Sequence, residues 1–199
     1  MEIMLKLNEL QAVSYAMAKG DIRYYLNGML LEIDAEVNHR LVATDGHRVH
    51  IVDNNLGKVA YKSYIIPREA IEQALKTKLS YLTFSALNET EGILKHAGGG
   101  IQFKFVDGKY PDYRSVIPAS LQEIKAAQYN VDFLSDALKA MQAYRGGKKG
   151  VMLDFVQQGE ALGVAVYDNL FVGIMACRAN MNEAKAEAQE MLSRIRGNV

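Results

Sequence analysis

The sequence predicts an α+β fold built from a repeated strand–helix–three-strand unit. Two observations carry this. Apolar stripes at helical spacing begin at Leu10, Ile71 and Leu134, 61 and 63 residues apart, the near-constant period that marks internal repeats. Each stripe follows one short strand-like run and precedes three more, with turn signals between them. The chain of 199 residues has room for one large or two small domains at roughly 100–200 residues each.

In the first unit, residues 2–7 form the leading strand and Leu10, Val13 and Met17 mark the helix; YYLNGMLLEI, HRLVATD and HRVHIVD read as strands. In the second, residues 60–66 lead, and Pro67 opens a helix marked by Ile71, Ala74 and Leu75. Its fixed φ and missing N–H suit a first helical turn. YLTFSAL, EGILKH and GIQFKF follow. In the third, residues 123–129 lead, Leu134, Ala137, Leu138 and Met141 mark the helix, and GVMLDFVQ, EALGVAVY and LFVGIMAC are the strands. Asp45-Gly46, Asn88 to Gly92, Gly98 to Gly100, Gly146-Gly147 and Asp168-Asn169 punctuate the strands.

Two such units can close on each other. A third leaves an open sheet edge and an apolar face, both liabilities in water. Either the tail or a second chain must cover them, which predicts a homo-oligomer, a dimer first of all. Residues 182–196 form that tail, a fourth helix with Ala184, Ala188, Met191, Leu192 and Ile195 on one face. Glu183 and Glu187 near its start and Arg194 and Arg196 near its end complement the helix dipole. It reads as a helix covering a sheet, or as one that meets a partner.

Composition excludes several classes. Lys+Arg and Asp+Glu balance at 23 each, so no global field draws the chain to nucleic acid or acidic membranes. No run approaches the roughly 18 apolar residues of a membrane span. MEIMLKLNELQ has neither the basic nor the apolar region of a secretion signal, so the cytoplasm is the expected compartment. The lone cysteine, Cys177, makes no internal disulfide or Cys-based zinc site and, within FVGIMAC, reads as a buried small hydrophobe.

Chemistry has few candidates. In Thr44-Asp45-Gly46-His47-Arg48, Asp45 and His47 could pair as acid and base, with Asp107 or Asp112 brought near. No GxSxG nucleophile accompanies them, and Asp45-Gly46 also reads as a tight hairpin turn. His39, His47, His50 and His96 fit no metal-binding pattern. His47 and His50, three apart on a strand, face opposite sides. No Walker loop or dinucleotide fingerprint occurs, so no cofactor or metal is expected. Residues 106–114, VDGKYPDYR, read as an inter-domain connector. Residues 21–28, DIRYYLNG, set an arginine beside two tyrosines, able to stack on bases, to hold a peptide, or to cover a core rim.

DIRYYLNGMLLEI, LVATDGHRV and FVDGKYPDYRSVIP, in this order and spacing, resemble the central domain of the bacterial DNA polymerase III beta subunit, the sliding clamp. The likeness is best over residues 8–118. Residues 119–178 are similar, more weakly, to the first half of the clamp's third domain. The resemblance implies a DNA-clamp (processivity) fold of β-α-β-β-β units, helices on one face and antiparallel sheets on the other. It divides the chain into a two-unit clamp-like domain (1–118), a one-unit half domain (119–178) and a C-terminal helix (179–199).

The resemblance also implies a non-catalytic role in DNA replication or repair: a shortened clamp that meets duplex DNA weakly and without regard to sequence, or a regulator or decoy that binds clamp partners or the full-length clamp without encircling DNA. The DNA-contacting candidates are Arg23, Tyr24, Tyr25, Lys76, Lys78, Arg145, Lys148 and Lys149; the lysines and Arg145 also read as solvated helix ends. The family's groove for apolar peptides of polymerase and clamp loader maps onto Leu26, Thr44, Gly46, His47, Arg48, Val49, Pro111 and Val116. Leu26, Val49, Pro111 and Val116 would form the pocket, and His47 and Arg48 would hydrogen-bond the peptide backbone. Ser115 stands where the family pattern has a basic residue. The other wall comes from the family's C-terminal segment, which has no match here, so half a groove is expected.

Overall fold

A computed structural model describes residues 1–56, 60–121, 127–150, 152–157, 162–177 and 181–196. β1 (Glu2–Lys6), α1 (Leu7–Ser14), β2 (Gly28–Ile33), β3 (His39–Thr44) and β4 (Arg48–Asn54) make the first unit. β5 (Lys62–Pro67), α2 (Arg68–Lys76), β6 (Tyr81–Ala86), β7 (Glu91–His96) and β8 (Gly99–Lys104) make the second. α3 (Val131–Tyr144), β9 (Phe155–Gln157), β10 (Leu162–Tyr167) and β11 (Leu170–Met175) follow, and α4 (Met181–Arg196) comes last. The expected leading strand at 123–129 falls largely outside the described residues; within them, Gln128 bridges Cys177.

The first two units exchange their leading strands. β1 pairs antiparallel with β6, setting Ile3 opposite Phe84. β5 pairs antiparallel with β2, setting Leu30 opposite Ile65. The exchange gives a four-stranded sheet, β1-β6-β7-β8, and the start of a seven-stranded one, β5-β2-β3-β4-β11-β10-β9. The third unit joins through β11, which runs antiparallel to β4 with Gly173 opposite Val49. A Cβ at Gly173 would come within 3.0 Å of Val49 Cγ1, so glycine permits the strand to lie this close.

α3 packs against α1, and α1 also touches α2. Leu10 and Val13 of α1, Ile71 and Ala74 of α2, and Ala137, Ala140 and Met141 of α3 share one core with Leu31, Leu41, Ile66 and Phe84 of the sheets. The apolar face expected to need the tail or a second chain is therefore covered within the chain, by α3 itself. Strand edges remain at β9 and β5 of the large sheet.

A second, smaller core lies apart from the first: Leu26, Leu30, Val42, Val49 and Ile51 pack with Tyr110 and Tyr113 of the 106–118 connector. β2 is buried at every position, because the helices cover one of its faces and the connector the other. That second cover departs from the simple arrangement of helices on one side and bare sheet on the other.

Local expectations need four corrections. Pro67 ends β5 with an extended ψ of 150°, and the helix begins at Arg68. Tyr24–Asn27 is a single 3-10 turn, not the start of a strand; the strand begins only at Gly28, where a Cβ would come within 2.8 Å of the Ile66 carbonyl oxygen. Leu138 is 44% exposed while Ala137, Ala140 and Met141 are buried, because α3 turns its small residues inward and a helix approaches most closely through small side chains. Cys177 is exposed, since the apolar strand ends two residues before it.

The tail departs most. None of the described side chains of α4 is buried, so it does not cover a sheet.

Candidate functional site

Three segments meet beside the smaller core. The first is the turn between β3 and β4. Asp45 Oδ1 accepts from the N–H groups of His47 (2.9 Å) and Arg48 (3.1 Å). Thr44 Oγ1 accepts from Gly46 N–H (3.1 Å) and donates to the Arg48 carbonyl (2.6 Å). Gly46 has φ of +93°, a left-handed conformation that glycine adopts without strain. This turn holds His47 at the surface and sends Val49 inward.

The second segment is the connector. The Tyr110 hydroxyl accepts from Thr44 N–H at 3.1 Å. The Tyr113 hydroxyl donates to Glu32 Oε2 (2.6 Å) and accepts from Arg40 (3.0 Å). Arg114 adds two bonds to Glu32 (2.8 and 3.0 Å), and its guanidinium lies 4.5 Å from the Tyr113 ring centroid. Burial raises the Tyr110 and Tyr113 phenols above their ordinary values, so both stay protonated at neutral pH. Buried, partnered hydroxyls fix a loop that has no strand of its own, and they place Pro111 and Val116.

The third segment comes from the third unit. The Met175 N–H donates to the His47 carbonyl at 2.8 Å, and Met175 pairs across the strands with Leu162. Together the segments enclose a cavity of about 330 Å³, at the small end of the roughly 300–1,000 Å³ usual for ligand pockets. All eight residues expected in the groove line it: Leu26, Thr44, Gly46, His47, Arg48, Val49, Pro111 and Val116. So do Arg23, Tyr25, Asp112, Tyr113, Ser115, Leu162 and Met175.

The expected half groove thus has an opposite wall, made by Leu162 and Met175. Sequence reading missed it because the β4–β11 pairing joins residues more than a hundred positions apart; the only local sign was the apolar LFVGIM run.

Charge placement also differs from expectation. Arg48 does not point free for a peptide. It bonds Asp45 (3.0 Å) and Asp136 of α3 (2.6 Å), and its guanidinium lies 4.7 Å from the Phe133 ring centroid. His47 stacks on the same ring at 6.0 Å. Burial alone would raise the Asp136 carboxyl, but bonds from Lys139 and Arg48 outweigh it and hold the group below its ordinary value. The first and third units are therefore tied at the rim of the groove. Asp45 spends its carboxylate on this turn and on Arg48, which leaves it no acid–base partnership with His47. Asp112 accepts from Arg114 N–H instead, and Asp107 lines a different depression.

The DNA candidates divide between two places. Arg23 and Tyr25 belong to the groove. Arg23 is paired with Asp21 (2.7 Å) and reaches the Asp45 carbonyl; bonds from the Arg23 side chain and its N–H hold the Asp21 carboxyl down to about 2. Tyr24 stands exposed beside Tyr25, ring edge to face. Lys78 lines a depression of about 770 Å³ near α1 and α3, with Lys6, Lys139, Gly146 and Gly147. Lys76, Lys148 and Lys149 are exposed, and half-buried Arg145 lies 4.9 Å from the Tyr167 ring centroid.

Residues 4–112, more than half of the chain, match the family described as "DNA polymerase III beta subunit, central domain". The chain belongs to the DNA polymerase III beta subunit family. It is 38% identical over 112 residues to the beta sliding clamp of Vibrio cholerae, covering 55% of this chain and 30% of that protein. It is 33% identical over 140 residues to the beta sliding clamp of Pseudomonas aeruginosa, covering 67% of this chain and 38% of that one. The chain thus spans about a third of the length of these beta subunits. A crystal structure of the P. aeruginosa sliding clamp superposes with a TM-score of 0.69 at 21% identity, over 90% of this chain and 67% of that one. The beta subunit of Borrelia burgdorferi gives 0.69 at 12% identity, over 90% and 65%. Likeness at such low identity shows a common fold, and the clamp fold of this beta subunit relative is accordingly the α+β one expected.

Proposed function

We propose that the protein is a non-catalytic, sliding-clamp-like factor of DNA replication or repair whose groove receives a short apolar peptide segment of a polymerase or clamp loader. The observation that carries this is the convergence of three separate segments on one cavity with an apolar floor and two walls. Leu26, Val49, Pro111 and Val116 face Leu162 and Met175, and the polar groups stand at the rim, as in sites that bury an apolar side chain and fix its backbone. Because His47 is stacked and Arg48 is held by two carboxylates, this reading assigns affinity to apolar burial, and to Arg48 the job of keeping the third unit against the turn.

The helix side supports loose contact with DNA. Lys6, Lys78 and Lys139 gather at one depression, Lys6 paired with Glu9 and Lys139 with Asp136 (2.9 Å each), while the chain as a whole has no net charge. A few cations on a neutral body give weak, salt-sensitive, sequence-independent attraction. No helix among the described residues is long and apolar enough to cross a membrane.

The test of the groove is anisotropy of a fluorescent apolar clamp-binding peptide with the full chain. Val116→Asp and Met175→Glu alter residues 48% and 44% exposed, so folding should survive. Each is expected to weaken binding tenfold or more; unchanged affinity in both would sink the reading. For DNA, duplex binding is expected to weaken steeply as salt rises; binding that does not change with salt would count against that contact.

A further inference from the structure

The sixteen residues of α4 make a helix about 24 Å long at 1.5 Å per residue. Met191, Leu192 and Ile195 are 56%, 48% and 74% exposed, although each is apolar and all lie on one side. Ala184, Ala188, Met191 and Ile195 are spaced four, three and four apart. That alternation keeps a seam straight along a helix that packs against another helix. Among the described residues, no side chain of α4 is buried against the rest of the chain.

The charges beside the seam say what covers it. Glu187 and Arg194 flank the seam on the same side, seven residues apart. Among the described residues, the ion pair Arg194 makes is with Glu190, at 4.0 Å, with both side chains largely in solvent (71% and 75% exposed). If a second α4 lies antiparallel, Ala188 meets Met191 and Ala184 meets Ile195, large against small in every layer. Glu187 of each copy then faces Arg194 of the other, twice over, and the helix dipoles oppose. A parallel pair sets Glu187 beside Leu192 and gains neither ion pair. The antiparallel arrangement is also two-fold symmetric and closes on itself.

We infer that α4 is a self-association element, pairing antiparallel with α4 of a second copy of this chain. The inference does not depend on the groove.

Light scattering on the full chain, from a few to several hundred micromolar, tests it. The parent is expected to pass from monomer to dimer mass in this range, and Ile195→Glu to stay a monomer with an unchanged thermal midpoint, since Ile195 is 74% exposed. Glu187→Arg and Arg194→Glu singly turn both ion pairs into like-charge contacts and should weaken the dimer by about tenfold; together they should restore it. A parent that stays monomeric throughout, a dimer that survives Ile195→Glu, or a double variant no better than the singles would each overturn the inference.

Discussion

The two sheets obey different rules. In the four-stranded sheet β1 alternates, with Ile3 and Leu5 buried and Met4 64% exposed. In the seven-stranded sheet β2 is buried at every position. Both began as strands of the same repeated unit. The difference is the connector: residues 106–118 return across the outer face of the large sheet, and Tyr110 and Tyr113 make that face a second core. The apolar cavity lies there, because a sheet face open to solvent offers one wall and a covered one offers a cleft at the edge of its cover.

Truncating the outer layer should therefore separate the two sheets most sharply. Leu30→Ala, on the connector side of β2, is expected to cost about 2–4 kcal/mol by urea denaturation, and Met4→Ala, outward on β1, less than about 0.5 kcal/mol. Equal losses would erase the distinction. The helix side of the large sheet is tested by pH. His50 is wholly buried on β4, with Nδ1 2.9 Å from the Ala12 carbonyl of α1, and burial pulls its pKa from 6.5 to about 4. The unfolded chain then takes up the proton first. Stability is complete above about pH 6.5 and falls as pH drops towards 4, by about 3 kcal/mol at 1.36 kcal/mol per unit. His50→Gln should flatten that slope; an unchanged slope would place the titration elsewhere.

Smaller effects sharpen the role of the connector. Tyr113→Phe removes the hydroxyl shared by Glu32 and Arg40 and is expected to cost about 1–3 kcal/mol. It should also weaken peptide binding, because Pro111 and Val116 lose their anchor; a loss of stability with no loss of affinity would separate the anchor from the groove. Asp136→Asn leaves Arg48, whose side chain is 10% exposed, with one carboxylate and should cost about 1–3 kcal/mol, read by the same denaturation.

Much of this was legible in the sequence, and the reasons are physical. Helical stripes and period-two runs are local, so the repeat and nearly all strands could be read directly. The groove residues of the first two units came from the family resemblance, which rests on the segments around Asp45-Gly46 and Lys109-Tyr110-Pro111. Leu162 and Met175 could not be read: their place depends on β11 choosing β4, and alternation names no partner strand. The strand exchange between β1 and β5 was hidden for the same reason. Arg48 was assigned to a ligand because nothing local shows Asp136, eighty-eight residues away, within 2.6 Å. The amphipathic pattern of α4 was plain, but a pattern says only that a face seeks cover.

Methyl NMR during titration with an apolar clamp-binding peptide tests the central claim most directly. Shift changes are expected to concentrate at Val49, Val116, Leu162 and the Met175 methyl, drawn from three segments of the chain and one cavity, while Leu82 and Leu94 of the smaller sheet stay fixed. A peptide that moves only methyls away from this cavity, or none at all at saturating concentration, would contradict it.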